Sequence, residues 1–193
     1  MLAKWIMIVA ILEIGATGAH SETDELSHQE GQKMSIDYKN KPDSFWKQNL
    51  KPEVYNICRQ KGTEAARSGA YDHFYEKGTY YCACCGGDHA VYSSKAKFDS
   101  GTGWPSFWEP ISPDSVSLKE DRSGLFGWVQ PRTEVVCSRC GGHLGHVFDD
   151  GPKEHTGLRF CMNSLALVFV PEGQTPKNSL AQEVLERAPN HEG

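Results

Sequence analysis

Basic residues are in short supply. Lys and Arg total 20 against 25 Asp and Glu, for a formal net charge of -5. A surface that holds nucleic acid needs the opposite balance, so no nucleic-acid partner is expected. No apolar run is long enough to cross a bilayer, because Glu13 breaks the apolar stretch Trp5–Leu12. Long internal repeats are absent. The cysteine count is seven, and an odd number excludes a framework in which every thiol pairs within the chain. Crossover helices have no room either, since short β-rich runs follow one another too closely for parallel strands. What remains is a 193-residue chain, 38% hydrophobic and 23% charged, which can bury the core of one ordinary domain with extensions.

The opening "MLAKWIMIVAILEIGATGAHSE" joins a positive Lys4 to an apolar run and then to small Ala16, Gly18 and Ala19. Residues 1–20 therefore resemble a secretory signal peptide, which predicts export to a periplasm or beyond; a short membrane anchor or a cytoplasmic tail is the alternative. Residues 21–45 are polar, lack an apolar period and read as a linker. "SFWKQNLKPEVYNICRQKG" has helical spacing at Val54, Ile57 and Cys58, with Pro52 suited to a first turn and Gly62 to a stop. The β-rich runs "AVYSS", "VSLK", "FGWVQ", "TEVVC" and "LALVFV" then predict antiparallel strands. The body, residues 46–171, should be mainly β. Residues 172–193 form a tail in which "SLAQEVLERAP" reads as a short helix, with Ser179 and Gln182 as a capping box.

Two segments share the form C-x-x-C-G-G: Cys82 with Cys85, and Cys137 with Cys140. Such a knuckle aims two thiolates at one ion, and the glycines allow a tight turn around the sulfurs. Two knuckles supply the four thiolates of a closed structural Zn²⁺ site, one ion per chain, clamping two hairpins. Cys137, Cys140, His143 and His146 form a rival set, but its spacing is cramped and it leaves Cys82 and Cys85 unexplained.

Cys58, Cys84 and Cys161 are left over. Cys161 heads a strong strand in "GLRFCMNSLALVFV", where alternation puts Arg159, Cys161 and Asn163 on one face. A cation favours a thiolate nucleophile, and an amide can bond a substrate oxygen. Trp104, Phe107 and Trp108 lie in "FDSGTGWPSFW", a loop stiffened by Pro105, and can wall a small apolar group. His143 and His146 in "GGHLGHVFDDGP" are candidate acids near neutral pH.

"KFDSGTGWPSFW", "CGGHLGHVFDDGP" and "GLRFCMNSLALVF", in order with both C-x-x-C pairs, resemble the methionine-R-sulfoxide reductases of the B type. "RQKGTEAARSG" is similar to that family's N-terminal part, and the likeness covers residues 46–171. The resemblance implies two small antiparallel sheets with an N-terminal helix, and a structural zinc remote from catalysis. It implies that Cys161 is the nucleophile and that His143, His146 and Asn163 bind and protonate the sulfoxide oxygen. Trp104 holds the substrate methyl group on this reading, Phe107 belongs to the same wall, and Arg159 flanks the nucleophile. The implied substrates are oxidised-methionine proteins or peptides, the implied reductant is thioredoxin-like, and the implied state is a monomer. Reducing a sulfoxide this way leaves Cys161 as a sulfenic acid. Many members resolve it with a cysteine where this chain has Thr102. Cys58, the favoured candidate, or Cys84 would have to replace it, unless an external thiol acts directly. Two other classes compete: a zinc-ribbon binding module without chemistry, and a disulfide oxidoreductase using Cys82 and Cys85. The first gives the Arg159–Cys161–Asn163 face no purpose, and a metal on all four knuckle sulfurs removes the second.

Overall fold

The computed structural model describes residues 36–123, 129 and 131–176. The signal-peptide reading, most of the "FGWVQ" strand and the C-terminal helix lie outside these residues. The single helical segment expected from the sequence is two helices, α1 (Asp43–Asn49) and α2 (Pro52–Gln60). Proline explains the break. It cannot donate a backbone hydrogen bond, and it pushes the preceding residue out of the helical region. Lys51 accordingly sits extended at ψ 145°, and Pro52 opens α2. The left-handed cap that ends α2 is Lys61 (φ 57°), one residue before Gly62. The polar stretch read as a linker enters the body before residue 46. Tyr38 is fully buried and stacks on Trp46 at 5.9 Å, with the Arg139 guanidinium 5.0 Å from its ring.

Two antiparallel sheets follow. In the first, β1 (Gly78–Cys82) lies between β2 (Ala90–Ser93) and β9 (Leu167–Pro171). The second has the order β3-β4-β8-β7-β6-β5. Its strands are β3 (Lys97–Phe98), β4 (Ser106–Phe107), β5 (Val116–Asp121), β6 (Arg132–Cys137), β7 (His143–Phe148) and β8 (Arg159–Met162). The expected strand running on from Cys161 is thus two strands in different sheets. After β8 the chain turns at Asn163 into a 3₁₀ turn, Ser164–Ala166, and joins the first sheet as β9. Hydrogen bonding drives the change of sheet. The Asn163 N–H donates to the Leu144 carbonyl at 2.9 Å, and the next two N–H groups donate to the Glu64 carboxylate.

An aromatic core fills the interior. Tyr92 stacks on Phe107 at 4.4 Å, and Tyr80 meets the same ring edge-on at 5.1 Å. Phe107 is fully buried here, so it is a core residue and not part of a substrate wall. Along β4, alternation turns Ser106 to one face and Phe107 to the other, which is why the loop's aromatics separate.

β7 and β8 run in close contact. A Cβ built on Gly145 would stand 2.0 Å from the Cys161 carbonyl oxygen and 2.9 Å from the Met162 Cα, both backbone atoms that cannot step aside. Gly145→Ala should therefore destabilise the protein by about 1–3 kcal/mol, the usual cost of overpacking a tight interior. A melting temperature equal to wild type would show that the two strands are not this close.

Candidate active site and metal centre

The two knuckles come from different sheets. Cys82 ends β1 and Cys85 lies in the turn to β2; Cys137 ends β6 and Cys140 lies in the turn to β7. Gly86 (φ 91°) and Gly141 (φ 68°) adopt left-handed conformations that let each turn fold back over its sulfurs. All four thiols are buried and lie within 4.8 Å of one another. Cys82 and Cys140 sulfurs are 3.8 Å apart, as are those of Cys85 and Cys137. Thiolates held at about 2.3 Å from one tetrahedral ion stand about 3.8 Å from each other, so the cluster fits a four-sulfur metal site. A disulfide would require about 2.05 Å. Cys84 is not one of the four but is buried beside them: a Cβ on Gly142 would stand 2.9 Å from its sulfur and 3.2 Å from that of Cys140. The rival set is not assembled, because His143 and His146 are each bonded to a carboxylate instead.

Those pairs lie on the second sheet. The β7–β8 register puts His146 directly opposite Cys161, and the β4–β8 register puts Ser106 opposite Cys161 on its other side. Directly opposed residues share a face with Cβ atoms about 5 Å apart. An irregular step between Val135 and Val136 in the β6–β7 pairing resets the alternation along β7. His143 and His146, three residues apart, consequently meet with ring centroids at 5.3 Å. The His143 Nδ1 lies 2.8 Å from Glu134 Oε1, and Lys61 holds the other Glu134 oxygen at 2.8 Å. The His146 Nε2 lies 2.7 Å from Asp121 Oδ2, which also accepts from Arg132 at 2.9 Å.

Burial works to raise both carboxyls, but Lys61 and His143 hold Glu134 below its ordinary value, and Ser123, His146 and Arg132 hold Asp121 well below. Ionised carboxylates only accept, so Nδ1 carries the proton in His143 and Nε2 in His146. Burial pushes His143 toward its neutral form despite Glu134. The Nε2 of His143 is buried without a hydrogen-bond partner among the described residues.

A cavity of about 150 Å³ opens beside Cys161, lined by Thr63, Trp104, Arg132, His146, Asn163 and the β7–β8 backbone at Gly145. It is smaller than the ~300–1,000 Å³ of drug-sized ligand pockets and suits a side chain. Trp104 is fixed through its indole N–H, which donates to the Glu64 carbonyl at 3.0 Å. Asn163 has left the strand, yet it still lines the cavity. Its Oδ1 accepts from the Glu64 N–H at 3.0 Å, and one Nδ2 hydrogen goes to the Leu144 carbonyl at 3.1 Å. The second Nδ2 hydrogen is the one available to a ligand.

A SelR domain model matches residues 50–171 of the chain. The chain belongs to this family of B-type methionine sulfoxide reductases. It is 53% identical over 137 residues to the peptide methionine sulfoxide reductase MsrB of Methanosarcina mazei, covering 71% of this chain and 93% of that protein. Against the MsrB protein of Leptospira interrogans it is 52% identical, covering 69% of this chain and 96% of the relative. Against the chloroplastic peptide methionine sulfoxide reductase B1 of Arabidopsis thaliana it is 44% identical, covering 82% and 73%.

Other expected site residues lie differently in this SelR-domain chain. His143 is buried behind the cavity and His146 lines it. Arg159 does not line it: the guanidinium grips Asp150 with two bonds of 2.8 Å and stacks over Phe148 at 4.4 Å. Cys58 is buried on α2 and Cys84 is buried in the metal hairpin, and neither lines the Cys161 cavity. Thr102 has its Oγ1 4.0 Å from the Cys161 sulfur. Sequence reasoning missed Glu64, Ser106, Asp121, Glu134 and Asp150. Glu134 in "TEVVC" and Asp150 in "FDDGP" lie within segments already singled out, but nothing local says which side chain each carboxylate meets.

The sequence reading that a flanking cation favours the Cys161 thiolate weighs one side of a balance. Burial raises the Cys161 thiol above its ordinary value and outweighs the pull of Arg159, Thr102 and Ser106. Iodoacetamide should therefore alkylate Cys161 ever faster as pH climbs past about 8.5, the ordinary thiol midpoint. Arg159→Met should move the midpoint higher still. Peptide mapping of the Cys161 adduct reads both, and a midpoint below pH of about 7 contradicts this balance of burial and charge.

Proposed function

We propose that this protein reduces the R epimer of methionine sulfoxide with Cys161 as nucleophile. The observation that carries the reading is the β7–β8 register, which sets His146 opposite Cys161 in a small cavity shared with Trp104 and Asn163. The family makes the enzyme a peptide-methionine (R)-S-oxide reductase.

The Cys161 thiol starts protonated and brings its own proton. His146 takes it at Nδ1, and the Asp121 carboxylate stabilises the imidazolium through Nε2–H. The sulfur attacks the sulfoxide sulfur, the imidazolium passes the proton to the sulfoxide oxygen as the S–O bond breaks, and the free Asn163 hydrogen bonds that oxygen as negative charge builds. The oxygen, released as hydroxide, then adds to the Cys161 sulfur while the S–S bond breaks and methionine leaves. His143 backs His146, held by Glu134 and Lys61. Such proton transfer contributes about 10²–10⁴ in rate. The products are methionine and a Cys161 sulfenic acid: the substrate gains two electrons and the cysteine loses two. Trp104 receives the methyl group. In the other epimer the oxygen would face the indole unpaired, which disfavours it.

Recycling requires two thiols, which leave as a disulfide and release water. The reductant we favour is a thioredoxin-like protein acting on Cys161 directly, since Cys161 is part-exposed whereas Cys58 and Cys84 are buried. Zn²⁺ is the ion best matched to the four-sulfur cluster; it supplies structure and not chemistry, because all four positions are taken by protein. Export rests on the sequence of residues 1–20 alone, and we read the working form as a monomer acting on oxidised proteins or peptides.

Purified protein should reduce the R epimer of N-acetyl methionine sulfoxide with dithiothreitol and leave the S epimer. Cys161→Ser should abolish turnover and retain fold and metal. Near-normal turnover by this variant would defeat the mechanism, and loss of metal with it would mark a structural cysteine.

Zinc-edge X-ray absorption should find four sulfur neighbours at about 2.3 Å. Cys140→Ser should strip the ion and unfold the protein, since structural zinc contributes about 10 kcal/mol or more. Nitrogen neighbours would instead return the histidines to the metal.

A further inference from the structure

We infer that Glu64 is a positioning residue that sets the two opposed recognition groups of the cavity, Trp104 and Asn163, at once. The inference rests on the functional reading above. Glu64 lies in the segment after α2 and does not line the Cys161 cavity, although its neighbour Thr63 does. It lines a separate groove of about 650 Å³, which it shares with Ser164 and Leu165. Any effect on the substrate therefore passes through other residues.

Four bonds converge on this one residue. Its N–H donates to the Asn163 Oδ1 at 3.0 Å, and its carbonyl accepts the Trp104 indole N–H at 3.0 Å. Its carboxylate accepts the Ser164 N–H at 2.7 Å and the Leu165 N–H at 3.1 Å. Ser164 is bonded covalently to Asn163, so the contacts close a ring from Asn163 through the Ser164 N–H and the Glu64 side chain back to the Asn163 amide oxygen. That ring fixes which way the amide faces: with Oδ1 taken by Glu64, Nδ2 must point the other way, toward Leu144 and the cavity. The carbonyl of the same residue, in the next peptide unit, orients the indole. Gly69 encloses the carboxylate, since a Cβ there would come within 2.4 Å of Oε1.

The chemistry of the anchor selects a carboxylate. Two converging N–H donors need two acceptor oxygens. Gln offers one oxygen and one NH₂, so one donor would face another donor in a buried place. Glu64→Gln should shift the Glu64 backbone and, through it, both groups.

The test uses the full metal-loaded protein. In Glu64→Gln, kcat/KM for the R epimer of N-acetyl methionine sulfoxide should fall about tenfold to a hundredfold, the usual loss for a misplacement of about 1 Å. The loss should appear in kcat as well as KM, because Asn163 acts on the oxygen as charge builds and Trp104 holds the methyl group. The Trp104 Nε1–H and Asn163 Nδ2H₂ resonances should move in ¹H–¹⁵N spectra, while metal content and the alkylation rate of Cys161 stay put. A variant with a lower melting temperature but wild-type kcat/KM and unmoved resonances overturns the proposal and leaves Glu64 a stabilising cap. Glu64→Asp keeps the charge but withdraws it by one methylene. It should show the same signature more weakly, and it decides the matter if the Gln variant does not fold; wild-type kcat/KM and unmoved resonances in it overturn the proposal. If the wild-type protein itself fails to reduce the R epimer, the functional reading falls. The resonances then still tell whether Glu64 holds Trp104 and Asn163.

Discussion

Four buried sulfurs join the two sheets at one place, and the rest of the site is built outward from them. One pair closes the β1–β2 hairpin and the other closes β6–β7, so an ion held by all four would tie the hairpins together, beside the Arg139–Asp88 and Ser138–His89 contacts that already link them. The arrangement suits short strands. Strands of four to six residues bury little each, and a metal linkage can add to what such strands bury. Because β6 ends and β7 begins at the cluster, anchoring the sulfurs also anchors the strands that carry Glu134, His143 and His146.

Electrostatic support in this site is arranged in layers. Each histidine has one nitrogen committed to an ionised carboxylate, and each carboxylate has its own cation, Lys61 or Arg132. The result is fixed tautomers around Cys161, the proposed nucleophile, which burial holds toward its thiol form. A protonated thiol is slower to react with stray oxidants, since the thiolate is the reactive form. Under the proposed mechanism the proton held back in the resting enzyme is the one the departing oxygen needs.

The segment between the helices and the first sheet does more than connect them. Residues Thr63 to Tyr71 lie across the point where the chain leaves β8 for β9. Glu64 bonds Asn163, Ser164 and Leu165, the Arg67 N–H donates to the Gly103 carbonyl at 2.7 Å, and the Tyr71 N–H donates to Ser164 at 3.2 Å. Both the aromatic loop and the Asn163 turn are thereby held by one stretch of chain. Neither has a long regular element of its own to hold it.

Much of this molecule is written in local sequence. The C-x-x-C-G-G pairs specify their ligands because two thiols and the turn between them are one short unit, and Gly86 and Gly141 do adopt the left-handed turns that unit requires. The class of fold follows from strand spacing, and the order of several independent motifs names the family. Tertiary structure alone decided the rest. Pairing register made His146 the neighbour of Cys161, and one irregular step brought His143 beside it. A hydrogen-bonded turn cut the expected long strand in two, and α2 kept Cys58 in the core. The carboxylates Glu64, Asp121 and Glu134 acquired meaning only when chain segments 9 to 101 residues distant closed on them. A local pattern can dictate a turn or a ligand pair, since both ends lie within reach of a few bonds. Which charge meets which ring depends on how strands slide into register, and that is settled by the packed core as a whole.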